Sequence, residues 1–277
     1  MGCGFLMIYL MKNQAFWSWQ DGKFIKSPSI SCNSGGFLHG YGLFETIYFK
    51  EGVLHHWDAH MDRIERSCRR YGLAFWGEGL REVALELCER NFFSEARVRL
   101  TVATRHTQYE IESKDSMILL QASEYQRVNR EYRLNSYKAS QFGCSLSQHK
   151  TLSYNGYLLA KRTAILEGAD EALLLDHSGS IVECSSANII LYKAGQWYTP
   201  PLSEYGLRGI QLAVVKRVLE RMNIPLQNSI NLSEAWEFAF LCNSLIGIQP
   251  VVSIDGRVFD QKKSIEFGRI KEEVERL

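Results

Sequence analysis

Hydrophobic and polar positions along this chain repeat with two periods, and the switches between them mark its elements. Phe16-Trp17-Ser18-Trp19 and Lys23-Phe24-Ile25 flank Gln20-Asp21-Gly22, and an Asp-Gly pair between β-forming runs predicts a hairpin. Leu43 to Phe49 reads as a strand ending at the turn Glu51-Gly52. From Asp58, read as a helix cap, to about Arg70, Met61, Ile64 and Cys68 form one apolar stripe, the mark of a helix. Gly79 to Arg90 is a second helix, covered by Val83, Ala84, Leu85 and Leu87, and Val98 to Ala103 and Ser116 to Ala122 are strands. Glu124 to Arg130 is polar and aperiodic, a linker. Beyond it come a strand at Arg133 to Tyr137 and a helix from Asn155 to Glu167, stopped by Gly168. Strands at Glu171 to Leu175 and Ser180 to Tyr192 surround the turn Asp176-His177-Ser178-Gly179. Ile210, Val214, Val218 and Met222 repeat every fourth residue through a helix spanning Gly209 to Met222. Short strands at Phe238 to Leu241 and Val251 to Ile254, the turn Asp255-Gly256 and a helix at Lys263 to Leu277 close the chain.

This pattern predicts an α+β protein of two mixed α/β domains, residues 1–123 and 124–277, with a cleft between them. The 277 residues suit two domains, and hydrophobic and charged shares of 45% and 23% are those of a globular chain. A formal net charge of +1 gives no electrostatic case for nucleic acid or an anionic membrane as partner. Seven cysteines, an odd number without a C-x-x-C pair, argue against a disulfide framework or a zinc ribbon and point to the reducing cytoplasm. The apolar start, Met1 to Met11, is too short for a membrane span and lacks the charge of a signal peptide. Met1-Gly2-Cys3 has Leu6 where a myristoylation motif wants Ser or Thr, so Met7 or Met11 is an alternative start.

Four places could carry chemistry. On the helix after Asp58, Asp62 can pair with Arg66 and Glu65 with Arg69. Arg63 has Ala59 and Ser67 at those offsets, which leaves its fork for a phosphate or for solvent. Gly206-Leu207-Arg208-Gly209 leads into a helix whose first N–H groups, from Ile210 and Gln211, suit an anion. Lys150, in Gln148-His149-Lys150-Thr151-Leu152, precedes a helix. An apolar setting there would disfavour its ammonium and make it a nucleophile; the alternative is an ordinary surface lysine, as most lysines are. Glu183, within Ile181-Val182-Glu183-Cys184, needs a cationic partner if its strand is buried and none if the pleat turns it outward. The seven histidines have no metal-ligand spacing, and no serine-hydrolase elbow, P-loop or Rossmann fingerprint occurs.

Taken in order, these segments resemble the class IV aminotransferase family, the fold-type IV enzymes of pyridoxal 5′-phosphate (PLP). The resemblance runs through Gly36-Phe37-Leu38-His39-Gly40-Tyr41-Gly42-Leu43-Phe44-Glu45-Thr46, His60-Met61-Asp62-Arg63-Ile64 and Lys150-Thr151-Leu152-Ser153-Tyr154. It continues through Asp170 to Asp176, Ile181 to Ile190, Tyr198-Thr199-Pro200-Pro201, Gly209-Ile210 and Gln249-Pro250-Val251, covering nearly the whole chain from about residue 15. It implies a fold of the D-amino acid aminotransferase type with PLP in the interdomain cleft. Lys150 would be the Schiff-base lysine, Glu183 the partner of the pyridine nitrogen and Tyr154 that of the phenolic oxygen. Arg63, Ile210, Gln211 and Ser244 would form the phosphate cup. Leu245 and Ile246 would form the turn that meets the substrate carboxylate, with Asn243 beside them as a further substrate-binding residue. The family also implies a homodimer acting on a small-molecule substrate.

Gly40-Tyr41-Gly42, Phe44-Glu45-Thr46 and Cys242-Asn243-Ser244 ahead of Pro250 look most like the aminodeoxychorismate lyase branch, which releases pyruvate and forms 4-aminobenzoate for folate. The alternatives are an aminotransferase for D-amino or branched-chain amino acids, and a relative that keeps the fold without catalysis. Ser34-Gly35 stands where the family usually has Asp-Arg, and Ala103-Thr104-Arg105-His106 where many relatives have an Arg-Gly turn. Arg99 or Arg105 is left to hold a substrate carboxylate, and strand alternation does not choose between them.

Overall fold

The computed structural model describes residues 16–106, 115–138, 145–201, 206–228, 235–259 and 264–277. The Met1 to Met11 stretch, Cys3, Cys144 and the first position of the C-terminal helix lie outside them. The chain divides into two compact units, Met1–Gln126 and Arg127–Leu277.

The first unit contains β1 (Ser18–Gln20), β2 (Lys23–Ile25), α1 (Gly35–His39), β3 (Gly42–Lys50), β4 (Val53–Leu54), α2 (Trp57–Tyr71), α3 (Leu80–Arg90), β5 (Glu95–Thr104) and β6 (Ser116–Glu124). Its sheet runs β2-β1-β6-β5-β3-β4. The turn between β1 and β2 has Asp21 and Gly22 at φ 48° and 89°, the left-handed pair that an Asp-Gly hairpin requires. Leu43, Ile47 and Phe49 of β3 pack in one core with Val98, Leu100 and Val102 of β5, Ile118 and Leu120 of β6, and Ile64, Cys68, Leu80, Ala84 and Leu87 of the two long helices. Asp58 does not cap α2. His56, at φ 55°, holds the cap position without a side-chain bond, and Asp58 lies in the first turn, where its charge complements the helix dipole.

The second unit contains β7 (Tyr132–Lys138), a 3-10 turn (Ser145–Gln148), α4 (Asn155–Leu166), β8 (Glu171–Leu175), β9 (Ile181–Cys184), β10 (Asn188–Lys193), β11 (Gln196–Tyr198), α5 (Ile210–Arg221), β12 (Leu226–Gln227), β13 (Phe238–Asn243), β14 (Gly247–Ile254), β15 (Arg257–Val258) and α6 (Ser264–Glu275). The strand predicted from 180 to 192 is therefore two strands joined by Ser185-Ser186-Ala187. β9 and β10 lie at separate places in the order β12-β11-β10-β13-β14-β7-β8-β9. Laid flat, that separation is roughly 24 Å at about 4.8 Å per strand. Three linking residues reach only about 14 Å, so the sheet must curl back on itself. Alternation fills both faces. Leu173, Leu175, Ile189, Leu191, Ala239 and Leu241 share one core with Val251. Ile190, Tyr192, Phe238 and Phe240 join Leu212, Val215, Phe267 and Ile270 of α5 and α6 in a second, while Ala172, Leu174 and Val182 meet Ala160 and Ala164 of α4 in a third.

Candidate active site

In the second unit a line of side chains joins Lys150 to Glu183. Lys150, half-buried, holds its ammonium 5.7 Å from the centre of the Tyr154 ring. Tyr154, just before α4, stacks on Tyr157 one turn on, with ring centres 4.7 Å apart and planes 12° apart. The Tyr157 hydroxyl donates to Glu183 Oε1 at 3.4 Å, and Tyr154 donates to the carbonyl of Ser185 at 2.5 Å. Glu183 is 5% exposed, so it belongs to the buried alternative of the two that its sequence left open.

Three turns meet at the same end of the curled sheet, because Asn188 of β10 is in register with Cys242 of β13. In the first, Ser185 and Ser186 donate their hydroxyls to buried Glu171. The second enters α5. The N–H of Leu207 donates to Glu183 Oε2 at 3.2 Å, and Asn188 Nδ2 donates to the Leu207 carbonyl at 3.0 Å. Gly209 caps α5 without a side-chain bond, and a methyl group there would overlap the Asn188 amide. Gly209 therefore has no side chain of its own to cap the N–H groups of Ile210 and Gln211 that open the helix. The third turn, Asn243 to Gly247, is gripped from both sides. Asn243 Nδ2 donates to the Ser186 carbonyl at 2.9 Å, while its Oδ1 accepts the N–H groups of Leu245 and Ile246, both at 2.9 Å. Arg127 donates to the carbonyls of Ser244 and Leu245 at 2.9 and 2.7 Å, and Gln249 to that of Ile246 at 2.8 Å.

Arg63 and Arg99 belong to the first unit. Arg63 was expected to lack a carboxylate, since none stands one turn away on its helix. That is corrected: a strand supplies one. Arg63 Nε and Nη2 donate to Glu45 of β3 at 2.7 and 2.6 Å, and His60 Nδ1 lies 2.7 Å from the same carboxylate. Burial alone would push the Glu45 carboxyl up. The Arg63 charge, with hydrogen bonds from His60 and Arg63, outweighs burial and holds it down at about 2. Arg99 projects from β5 with its guanidinium carbon 3.8 Å from the centre of the Phe44 ring. Arg105 is ion-paired with Asp21 and Asp115.

The structure thus brings Lys150, Tyr154, Glu183, Ile210, Gln211, Asn243, Ser244, Leu245 and Ile246 into one unit. Sequence reasoning passed over Tyr157, Glu171, Ser185, Asn188 and Arg127. A tyrosine one turn from Tyr154 was a visible signal for the first, and the polar "linker" contained the last. Among the described residues, no group of His, Cys, Asp and Glu could hold a metal ion, and no helix is long and apolar enough to cross a membrane.

These features place the chain in a family. The family model described as amino-transferase class IV matches residues 42–254, and the chain belongs to the class IV aminotransferases. It is an enzyme of that PLP-dependent class, with the two-domain α+β fold of fold-type IV. It is 27% identical to a D-alanine aminotransferase of Staphylococcus aureus over 258 residues, 88% of this chain and 90% of that one. A branched-chain aminotransferase of Thermoproteus uzoniensis, solved with norvaline, superposes with a TM-score of 0.84 at 24% identity, covering 94% of each chain. A candidate 4-amino-4-deoxychorismate lyase of Legionella pneumophila gives the same TM-score and identity, covering 90% of this chain and 96% of that one.

The residues present suit PLP. A buried carboxylate is the kind of acceptor that a protonated ring nitrogen requires, and Glu183 is 5% exposed. A helix that opens on glycine suits a phosphate.

Proposed function

We propose that this enzyme is a 4-amino-4-deoxychorismate lyase, which eliminates pyruvate from its substrate and leaves 4-aminobenzoate. The observation that carries this reading is the side chain of Asn243. An α-amino acid bears its carboxylate on the same carbon as the amine, and that carboxylate needs donors close by. Leu245 and Ile246 are the donors that the resemblance assigns, yet Asn243 Oδ1 already accepts both of their N–H groups. Aminodeoxychorismate carries no carboxylate on its amine-bearing carbon, so it loses nothing at such a turn.

Lys150 would anchor the cofactor covalently, Glu183 would hold its ring nitrogen, and Tyr154 its phenolic oxygen. Ile210, Gln211, Ser244 and Arg63 would hold its phosphate. The bound pyridine ring supplies an electron sink. Lys150 Nζ takes the proton from the amine-bearing carbon of the substrate as the bond to the enolpyruvyl oxygen breaks, and a proton passed to the enolpyruvyl methylene gives pyruvate. Arg99 is proposed to meet a substrate carboxylate.

A second reading has support of its own. The 27% identical relative is a D-alanine aminotransferase, and a branched-chain enzyme is 24% identical with the same fold. One experiment separates the two: turnover of aminodeoxychorismate against a panel of D- and L-amino acids. Fluorescent 4-aminobenzoate with equimolar pyruvate is the expected outcome. Keto acid from an amino acid donor, without 4-aminobenzoate, would replace the lyase by the transferase. Purified wild type should be yellow and bleached by borohydride, and Lys150→Ala should be colourless. By resemblance we further propose a cytoplasmic homodimer, which a light-scattering mass of one chain would rule out.

A further inference from the structure

Glu171, 1% exposed, sits at the start of β8. A carboxylate so buried is costly unless its lone pairs are matched. All four acceptor positions are used. Oε1 accepts the Ser185 hydroxyl and the Ala172 N–H at 2.9 Å. Oε2 accepts the Lys161 ammonium at 2.7 Å and the Ser186 hydroxyl at 2.6 Å. Two successive residues of the link between β9 and β10 are thus tied by their side chains to one anion. The carbonyls of the same two residues are the acceptors for the site: Ser185 for the Tyr154 hydroxyl, Ser186 for Asn243 Nδ2. The second bond also fixes which way the Asn243 amide faces, and so directs Oδ1 at the turn.

We propose that Glu171 is a positioning residue that sets Tyr154 and Asn243 together, acting through Ser185 and Ser186. The proposal deepens the functional reading above and rests on it: the Ser185 branch would govern the hold on PLP, the Ser186 branch the hold on substrate.

The two branches predict a split that a merely structural role would not produce. Ser185→Ala should raise the PLP dissociation constant roughly tenfold and leave KM for aminodeoxychorismate within about twofold. Ser186→Ala should raise KM roughly tenfold and the PLP dissociation constant by clearly less, since Ser244 alone of that turn belongs to the phosphate cup, each variant losing about one hydrogen bond to a charged group. Glu171→Gln should move both constants. If Glu171→Gln does not fold, the serine pair decides alone. Serine variants that lower thermal stability while moving both constants in parallel, or neither, overturn the proposal. Amide hydrogen exchange of the cofactor-free protein gives a reading independent of PLP. Ser186→Ala should speed exchange in residues 243–247 and leave β3 and β5 unchanged, and unchanged exchange in 243–247 overturns the coupling. Wild type that takes up no PLP would instead sink the functional reading, and exchange would still decide whether the turns are coupled.

Discussion

Replacing Glu45 by Gln keeps the shape of the side chain and removes its charge from beneath α2, leaving Arg63 without its carboxylate partner. In the native protein that carboxyl is held at about 2, against an ordinary 4.5. At about 1.4 kcal/mol per pH unit, the gap is worth roughly 3 kcal/mol of folding stability. The folded-state value is the lower one, so the contribution is fully present above pH 4.5 and is lost as pH falls toward 2. About 2 kcal/mol should be gone by pH 3. Asp170 and Asp176 are also held below the ordinary carboxylate range, but both proteins carry them, so they cancel in the comparison. The assay is urea unfolding of wild type and Glu45→Gln from pH 7 to 3. Wild type should be the more stable at pH 7, and the gap between the two should narrow through the acid window. Parallel curves from pH 5 to 3 would falsify the reasoning, because they would mean that the carboxyl titrates at its ordinary value despite Arg63 and His60.

Gly209→Ala should overlap the Asn188 amide and displace the Leu207 loop, costing about 1–3 kcal/mol of stability and weakening PLP binding at least tenfold by equilibrium dialysis. Arg127→Met removes two bonds to the carbonyls of Ser244 and Leu245; KM should rise roughly five- to tenfold and the PLP dissociation constant should rise with it, because Ser244 belongs to the proposed phosphate cup, as measured by steady-state kinetics and absorbance titration. Tyr157→Phe removes the 3.4 Å bond to Glu183 and keeps the stacked ring, so less than about 1 kcal/mol of PLP affinity should go. Asn243→Ala exposes the Leu245 and Ile246 N–H groups; activity toward D-amino acids should rise relative to aminodeoxychorismate turnover, and an unchanged ratio would detach substrate choice from this side chain.

Most elements were legible because each carries an unmistakable period or turn: Asp21-Gly22, the Ile64 and Cys68 stripe, the fourfold repeat through Val214 and Val218. The strands that alternation missed, β4, β11, β12, β15 and the start of β14, are two or three residues long or contain Pro250, too little for a period to show. The break at Ser185 to Ala187 was hidden because strands apolar on both faces look continuous. Charged candidates such as Lys150 and Glu183 could be picked out of the sequence, since charge in an apolar setting stands out. Their partners were harder to see. Glu45 lies 18 residues before Arg63 and Glu171 lies 14 before Ser185, so neither pairing follows from helix or strand spacing. Arg127 grips main-chain carbonyls more than a hundred residues away, and no side-chain motif reports a bond to a carbonyl.

The turns around Glu183 are cross-linked before any ligand arrives. Tyr154 and Asn243 have acceptors in the 185–187 link, Leu207 is tied to Glu183 and Asn188, and the carbonyls of Ser244 to Ile246 are fixed by Arg127 and Gln249. Loops left to water would have to be ordered on binding, at about 0.5–1.5 kcal/mol for each immobilised side chain. Here that ordering belongs to folding, so binding energy is available for selecting the substrate. Preorganisation also makes selection rigid. A turn whose N–H groups are held by Asn243 cannot turn them toward an α-carboxylate without breaking two bonds of 2.9 Å, each worth roughly 1 kcal/mol net. If the turn meets the substrate as proposed, a single amide would discriminate against α-amino acids by about 2 kcal/mol, or roughly thirtyfold in binding, before any residue that touches the remainder of the substrate is counted.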